Sequence, residues 1–150
     1  MAASMSEPRR PVLAASIAVF REGRVLLAQR GKAPAKGLYS LPGGRLEIGE
    51  RLEEAVLREL FEEVGVSAEL VGFVDHVEHI EPDEQGGIRA HAVICAFAGR
   101  WLSGEPTLSD EAVAIRWVDP LAPGDLPMTR GLAGILRRAA EIVGLPERVV

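Results

Sequence analysis

Residues 51–64 constrain the fold more than any other stretch of the chain. Val56, Leu57, Leu60, Phe61 and Val64 recur at the spacing of one helical face. Gly65 ends the run as a left-handed residue, after which Val66 can fold back on the last turn. The same helix carries Glu59, Glu62 and Glu63 at i, i+3 and i+4, so three carboxylates leave one face. That face adjoins the apolar stripe and does not oppose it. Like charges four residues apart cost roughly a few tenths of a kcal/mol, and carboxylates in the C-terminal half meet the negative end of the helix dipole. Arg58 is the only base in the last two turns, so ion pairing does not account for the arrangement. Local frustration of this kind is expected at functional sites. A cation would relieve it, and three hard oxygen donors with no Cys or His nearby suit Mg²⁺ or Mn²⁺ better than zinc.

The charge arithmetic points to the same segment. The chain has 22 acidic residues against 17 Lys and Arg, a formal net charge of -5. Between Gly44 and Val66 there are seven Glu and three Arg, a net of -4. An acidic chain without a polybasic run argues against binding nucleic acid by bulk charge. With 150 residues the chain reads as one domain over 11–150, preceded by a disordered tail over 1–10. Cys95 is the only cysteine, which excludes an intrachain disulfide and fits a reducing cytoplasm. It lies in an apolar run and reads as a buried, inert thiol. The apolar stretch Val12 to Phe20 follows Arg9-Arg10 but is short and runs into Arg21, Glu22 and Arg24. It reads as a first strand and not as an export signal. No run reaches the roughly 18 apolar residues of a membrane span.

Val12 to Phe20 and Val25 to Ala28, joined by Glu22-Gly23, predict a hairpin. Gly31 to Gly37 predicts a loop, and Tyr39 to Leu41 a short extended piece ended by Pro42-Gly43-Gly44. After the acidic helix, Ala68 to Ile80 and Ile88 to Trp101 predict two long strands joined by a turn at Pro82 to Gly87. Ala112 to Val118 predicts another strand. Thr129 is the expected N-cap of a last helix, stopped by Gly144 and Pro146. The order of elements predicts an α+β fold, an α/β/α sandwich with a mixed β-sheet between helices.

Glycines at Gly43 and Gly44 let the backbone approach a ligand closely, and a carbonyl there could add a metal ligand; a plain tight turn is the alternative. Mg²⁺ held by carboxylates completes its shell with substrate phosphate and water. The inferred chemistry is therefore metal-assisted attack of water on a phosphate ester or anhydride.

Gly44, Glu50 and the run Arg58-Glu59-Leu60-Phe61-Glu62-Glu63-Val64-Gly65-Val66 meet every fixed position of the Nudix box, G-x5-E-x7-R-E-U-x-E-E-x-G-U, with U aliphatic. On these residues the chain resembles the Nudix hydrolases, and the likeness in element order extends over about residues 12–144. The resemblance implies that Glu59, Glu62 and Glu63 hold one to three divalent cations, Mg²⁺ or Mn²⁺, joined by the carbonyl of Gly43. It implies that Arg58 and Glu50 orient the metal-binding glutamates. It also implies hydrolysis of a nucleoside diphosphate linked to another moiety, by water attack on the diphosphate bridge. The base in such proteins is a box glutamate or a glutamate of a later loop. Glu111, six residues before Trp117, resembles that loop glutamate in position, with an ordinary loop residue as the alternative.

Substrate choice leaves fainter marks. Pro82, 16 residues after Val66, resembles a marker of ADP-ribose-hydrolysing members, although a proline also suits the turn that begins there. Tyr39 is a candidate contact for a base or ribose, with packing as the alternative. Arg30, Lys32 and Lys36 read first as solvated loop charges; phosphate binding is the functional alternative, with Arg30 the candidate alongside Gly44. The leading expectation is an ADP-ribose pyrophosphatase-like enzyme acting on ADP-ribose or a related nucleotide sugar. Hydrolysis of oxidised nucleoside triphosphates to monophosphate and pyrophosphate is the alternative, and a non-catalytic nucleotide sensor is the alternative from another class. An RNA-cap hydrolase is disfavoured because no basic groove or accessory domain is visible. The expected partner is a small nucleotide, with no membrane. Homodimerisation, common among such proteins, has no marker in the sequence.

Overall fold

The structure, a computed structural model, describes residues 9–144. Most of the expected tail and Pro146 lie outside them. Strand β1 (Val12–Arg21) turns at Glu22 and Gly23, both at positive φ, into β2 (Arg24–Arg30). Two short strands, β3 (Tyr39–Ser40) and β4 (Gly43–Arg45), precede helix α1 (Leu52–Val64). The long hairpin β5 (Ser67–Pro82) and β6 (Ile88–Ser103) is followed by β7 (Ala112–Val118) and helix α2 (Leu132–Ile142).

The sheet runs β3-β2-β1-β6-β5, with β4 also paired to β1 and β7 to β2. Among the described strand pairs, β1 and β6 run parallel, in register from Val12 with Ala92 to Phe20 with Arg100, and the others antiparallel, so the sheet is mixed as expected. β1 alternates its side chains between two cores, because successive residues of a strand point to opposite faces. Ile17 and Val19 pack under α1 with Leu26, Val56, Leu60 and Phe97. Ala18 and Phe20 pack under α2 with Leu27, Ile135, Leu136 and Ala139. The two helices thus lie on opposite faces, the three-layer arrangement expected.

Several expectations need correction. The Thr129 side chain does not cap α2: its hydroxyl donates to Ser40 Oγ at 3.2 Å, and the helix starts at Leu132 after Gly131. Gly43 and Gly44 are strand residues paired with Ser16 and Ala15, not a turn that ends a strand. Cys95 is half-buried and not buried; burial still pushes its thiol pKa up, which favours the unreactive form. Phe61 does not join the apolar face: it is 62% exposed. At 3.6 residues per turn it sits about 100° beyond Leu60, outside the arc that Val56, Leu60 and Val64 bury.

Candidate active site

The acidic helix is held at both ends. The Arg51 N–H donates to Glu54 Oε1 at 2.8 Å, one half of a capping box. At the other end Gly65 takes φ 72° and its N–H donates to the Phe61 carbonyl, as the sequence predicts. The Thr107 N–H donates to the Val64 carbonyl at 2.9 Å, so the loop before β7 is tied to the end of α1.

Glu59 and Glu63 lie beside the buried stripe, facing β4. The Gly43 N–H donates to Glu63 Oε2 at 3.0 Å. A Cβ on Gly44 would overlap the Glu59 carboxyl, and one on Gly43 would overlap the Ala15 carbonyl. The glycine pair therefore lets β4 slide between β1 and the helix carboxylates; any side chain there would push Glu59 away. Close backbone approach was the expected role of these glycines, and what they approach is a strand and a carboxylate.

Arg58 ties the other oxygens together. Its Nε donates to Glu50 Oε2 at 2.7 Å and its Nη2 to Glu50 Oε1 at 2.9 Å, a bidentate pair. Its Nη1 donates to Glu59 Oε1 and to Glu62 Oε2, each at 3.0 Å, and Nη2 also reaches the Arg45 carbonyl at 3.1 Å. The Glu47 N–H adds a bond to Glu50. Hydrogen bonds from Arg58 and then from Glu47 pull the Glu50 pKa down to about 2.

The carboxylates open into a cleft of about 290 Å³. One wall is Glu59, Glu62 and Glu63 of α1; the other is Ser109, Asp110 and Glu111, with Lys32. The second wall is assembled by Gly31, whose N–H donates to the Glu111 carbonyl at 3.1 Å. A Cβ at Gly31 would overlap the Asp110 carbonyl, so only glycine lets the two loops come this close. Burial pushes the Glu63 pKa up to about 7, with the charges of Glu111 and Glu59 adding to it and the Gly43 hydrogen bond opposing it. Burial likewise raises Glu59, against the pull of Arg58. Crowded, partly desolvated carboxylates of this kind are stabilised by a cation.

The donor set fits a hard divalent cation: carboxylate oxygens only, in a cleft with room for phosphate and water. Among the described residues, no three of these side chains are already gathered as a ligand set. Arg58 holds Glu59 and Glu62, and Gly43 holds Glu63.

The structure brings Glu50, Arg58, Glu59, Glu62, Glu63, Gly43, Gly44 and Glu111 into one region, and the remaining candidates elsewhere. Tyr39 is 5% exposed in the core under α2, with its carbonyl accepting from the Thr129 N–H. Pro82 is exposed at the end of β5, paired with Ile88, and does not line the cleft. Arg30 turns its Nε onto the Pro34 carbonyl at 2.7 Å, while its charge still acts to lower Glu63. Sequence reasoning missed Ser109 and Asp110, whose only signal was adjacency to Glu111, and read Lys32 first as a solvated charge.

The described residues thus form a mixed sheet between two helices, with a glutamate-lined cleft beside the Gly43-Gly44 strand. The family model for the NUDIX domain matches residues 10–139, and the chain belongs to that family. It is 30% identical over 109 residues to an ADP-ribose pyrophosphatase of Methanocaldococcus jannaschii, covering 73% of this chain and 62% of that protein. It is 34% identical to a CTP pyrophosphohydrolase of Escherichia coli, covering 73% of this chain and 82% of that one. A putative nudix hydrolase of Caenorhabditis elegans, 38% identical, is matched over only 28% of its length. Among solved structures, a MutT NUDIX hydrolase from Burkholderia pseudomallei superposes with a TM-score of 0.75 at 31% identity, covering 87% of this chain and 98% of that one.

Proposed function

We propose that this chain hydrolyses the diphosphate bridge of a nucleoside diphosphate joined to a further moiety, with ADP-ribose or a related nucleotide sugar as the leading substrate. The observation that carries the reading is the cleft itself, where three α1 carboxylates face Glu111 across a space open to phosphate. Divalent cations serve Nudix hydrolases generally, and the carboxylate donors here favour Mg²⁺, with Mn²⁺ a substitute. When bound, the cation would neutralise non-bridging phosphate oxygens and acidify water.

The chain's own residues supply the rest. Glu59, Glu62 and Glu63 would hold the metal, with the Gly43 carbonyl beside them. Arg58, fixed by Glu50, positions Glu59 and Glu62. Glu111 lines the opposite wall of the cleft, which supports it as the base that would take a proton from the attacking water. The Gly43 N–H holds Glu63 Oε2. Phosphoryl transfer asks for little beyond such positioning and charge.

A second reading is favoured by a specific finding. The relative of which this chain covers 82% is named CTP pyrophosphohydrolase, and another 36% identical over 80 residues is named 8-oxo-dGTP diphosphatase. Hydrolysis of a nucleoside triphosphate would use the same cleft. A Mg²⁺ hydrolysis panel of ADP-ribose, other nucleotide sugars, CTP and oxidised triphosphates tests both. Two monophosphate products identify the first reading; a monophosphate with pyrophosphate identifies the second. Tight nucleotide binding without turnover on any member would leave only a sensor and refute both.

A further inference from the structure

Among the described residues, Lys32 is the one basic residue that lines the cleft. The other candidate cations are committed or absent from it. Arg58 spends its donors on Glu50, Glu59, Glu62 and the Arg45 carbonyl. Arg30 bonds the Pro34 carbonyl and does not line the cleft, and Lys36 does not line it either. Lys32 makes no hydrogen bond or ion pair among the described residues, although five carboxylates share the cleft with it. The exposed Lys32 follows directly on Gly31, which is seated against Asp110 and bonded to the Glu111 carbonyl, so its backbone starts beside that wall.

The two walls differ in how they can receive a polyanion. A cation on Glu59, Glu62 and Glu63 would turn the α1 wall attractive. The opposite wall presents Asp110 and Glu111 and would repel phosphate at the place where Glu111 must stand near the reacting water. Lys32 belongs to that wall. A lysine ammonium is a compact charge on a flexible stem, suited to a phosphate oxygen as a point charge.

We infer that Lys32 binds a phosphate oxygen of the diphosphate from the wall opposite α1, making it a substrate-binding residue that offsets Asp110 and Glu111. The inference rests on the hydrolase reading above. The test uses the full chain with Mg²⁺ and α,β-methylene-ADP, a diphosphate that cannot be cleaved between its phosphorus atoms, titrated by calorimetry. Lys32→Ala should weaken probe binding about tenfold or more, as expected for loss of a charge-assisted hydrogen bond. It should raise KM for the panel substrate that turns over while leaving kcat within about threefold and Mg²⁺ affinity unchanged. Lys32→Arg should recover most of the binding, and Lys36→Ala should leave it unchanged. Equal losses in Lys32→Ala and Lys36→Ala would reduce the effect to bulk charge and overturn the inference. Parent-like probe binding by Lys32→Ala, in a chain that still hydrolyses its substrate, would overturn it and leave the hydrolase reading standing. A parent chain that neither binds the probe nor cleaves any panel member would overturn both.

Discussion

At the scale of single residues, the cleft is organised by where charge is neutralised and where it is left over. Arg58 neutralises the outer carboxylates, whereas Glu63, more deeply buried, accepts from the Gly43 N–H and feels the Arg30 charge only at a distance. Glu59→Gln and Glu63→Gln should each lower turnover by orders of magnitude, measured as kcat under saturating Mg²⁺. Their metal-free melting temperatures should equal or exceed the parent's, because each replacement removes a charge that is desolvated and crowded by Glu111 or Glu62. Near-parent turnover in both would refute the placing of the metal on α1. Glu50 behaves in the opposite way. Its folded pKa, about 2, lies below the ordinary carboxylate value, so its stabilising contribution is full above about pH 4.5 and is lost as pH falls toward 2. Glu50→Gln should therefore be less stable than the parent at pH 7, and the gap in denaturation midpoint should close between pH 4.5 and 2. A gap that widens on acidification would contradict the Arg58 pairing as its source.

At the scale of elements, α1 was the most legible part of the chain, and the reason is that its information is local. Spacing alone placed Val56, Leu60 and Val64 inward and Glu59 and Glu63 beside them, and Gly65 marked the end. What spacing could not supply was the width of the buried arc. Phe61 looked apolar enough to join it, but the helix buries Ala55, Val56, Leu60 and Val64 and leaves Phe61 exposed. Gly65→Ala should cost about 1–2 kcal/mol in chemical denaturation, since φ 72° is strained for any residue with a Cβ. The loops were less legible. Gly31 reads as one more glycine in a loop until the structure shows Asp110 against it. Gly31→Ala should raise KM by tenfold or more with a smaller loss of stability, because it separates the two loops that form one wall. A stability loss with unchanged KM would mean the wall tolerates the shift.

At the scale of the whole molecule, the site exists because strands distant in sequence are adjacent in space. β1 pairs with β6 some 80 residues away and with β4 on its other side. Neither contact leaves a trace in composition or periodicity, so the order of elements predicted the layers but not which strand lies beneath α1. The same distance effect separates the site residues that could be foreseen from those that could not. Glu59, Glu62 and Glu63 announce themselves by mutual spacing, whereas Lys32 and Asp110 acquire meaning only through each other. Pro82 and Tyr39 looked equally suggestive in the sequence, and the fold carries one to a hairpin end and the other into the core.

The charge distribution links folding to metal at this same scale. The segment from Gly44 to Val66 holds -4 of a net charge of -5, and α1 packs it against β1 and β4, in the middle of the sheet. Folding without a cation must bring Glu59, Glu63 and Glu111 together against their repulsion. A ligand that binds only the assembled cleft stabilises the folded chain by RT ln(1 + [L]/Kd), about 2.7 kcal/mol at a hundredfold excess over Kd. The unfolded chain offers its glutamates scattered and solvated, so it should compete weakly. The melting temperature should therefore rise with the logarithm of Mg²⁺ concentration and fall back on adding a chelator. The double variant Glu59→Gln/Glu63→Gln should start at or above the parent without metal and respond little to Mg²⁺, so the two melting curves should cross as metal is added. Added monovalent salt at matched ionic strength separates site binding from screening. Parallel rises in parent and variant would place the metal effect on the general acidic surface and remove the thermodynamic basis for a cation held by α1.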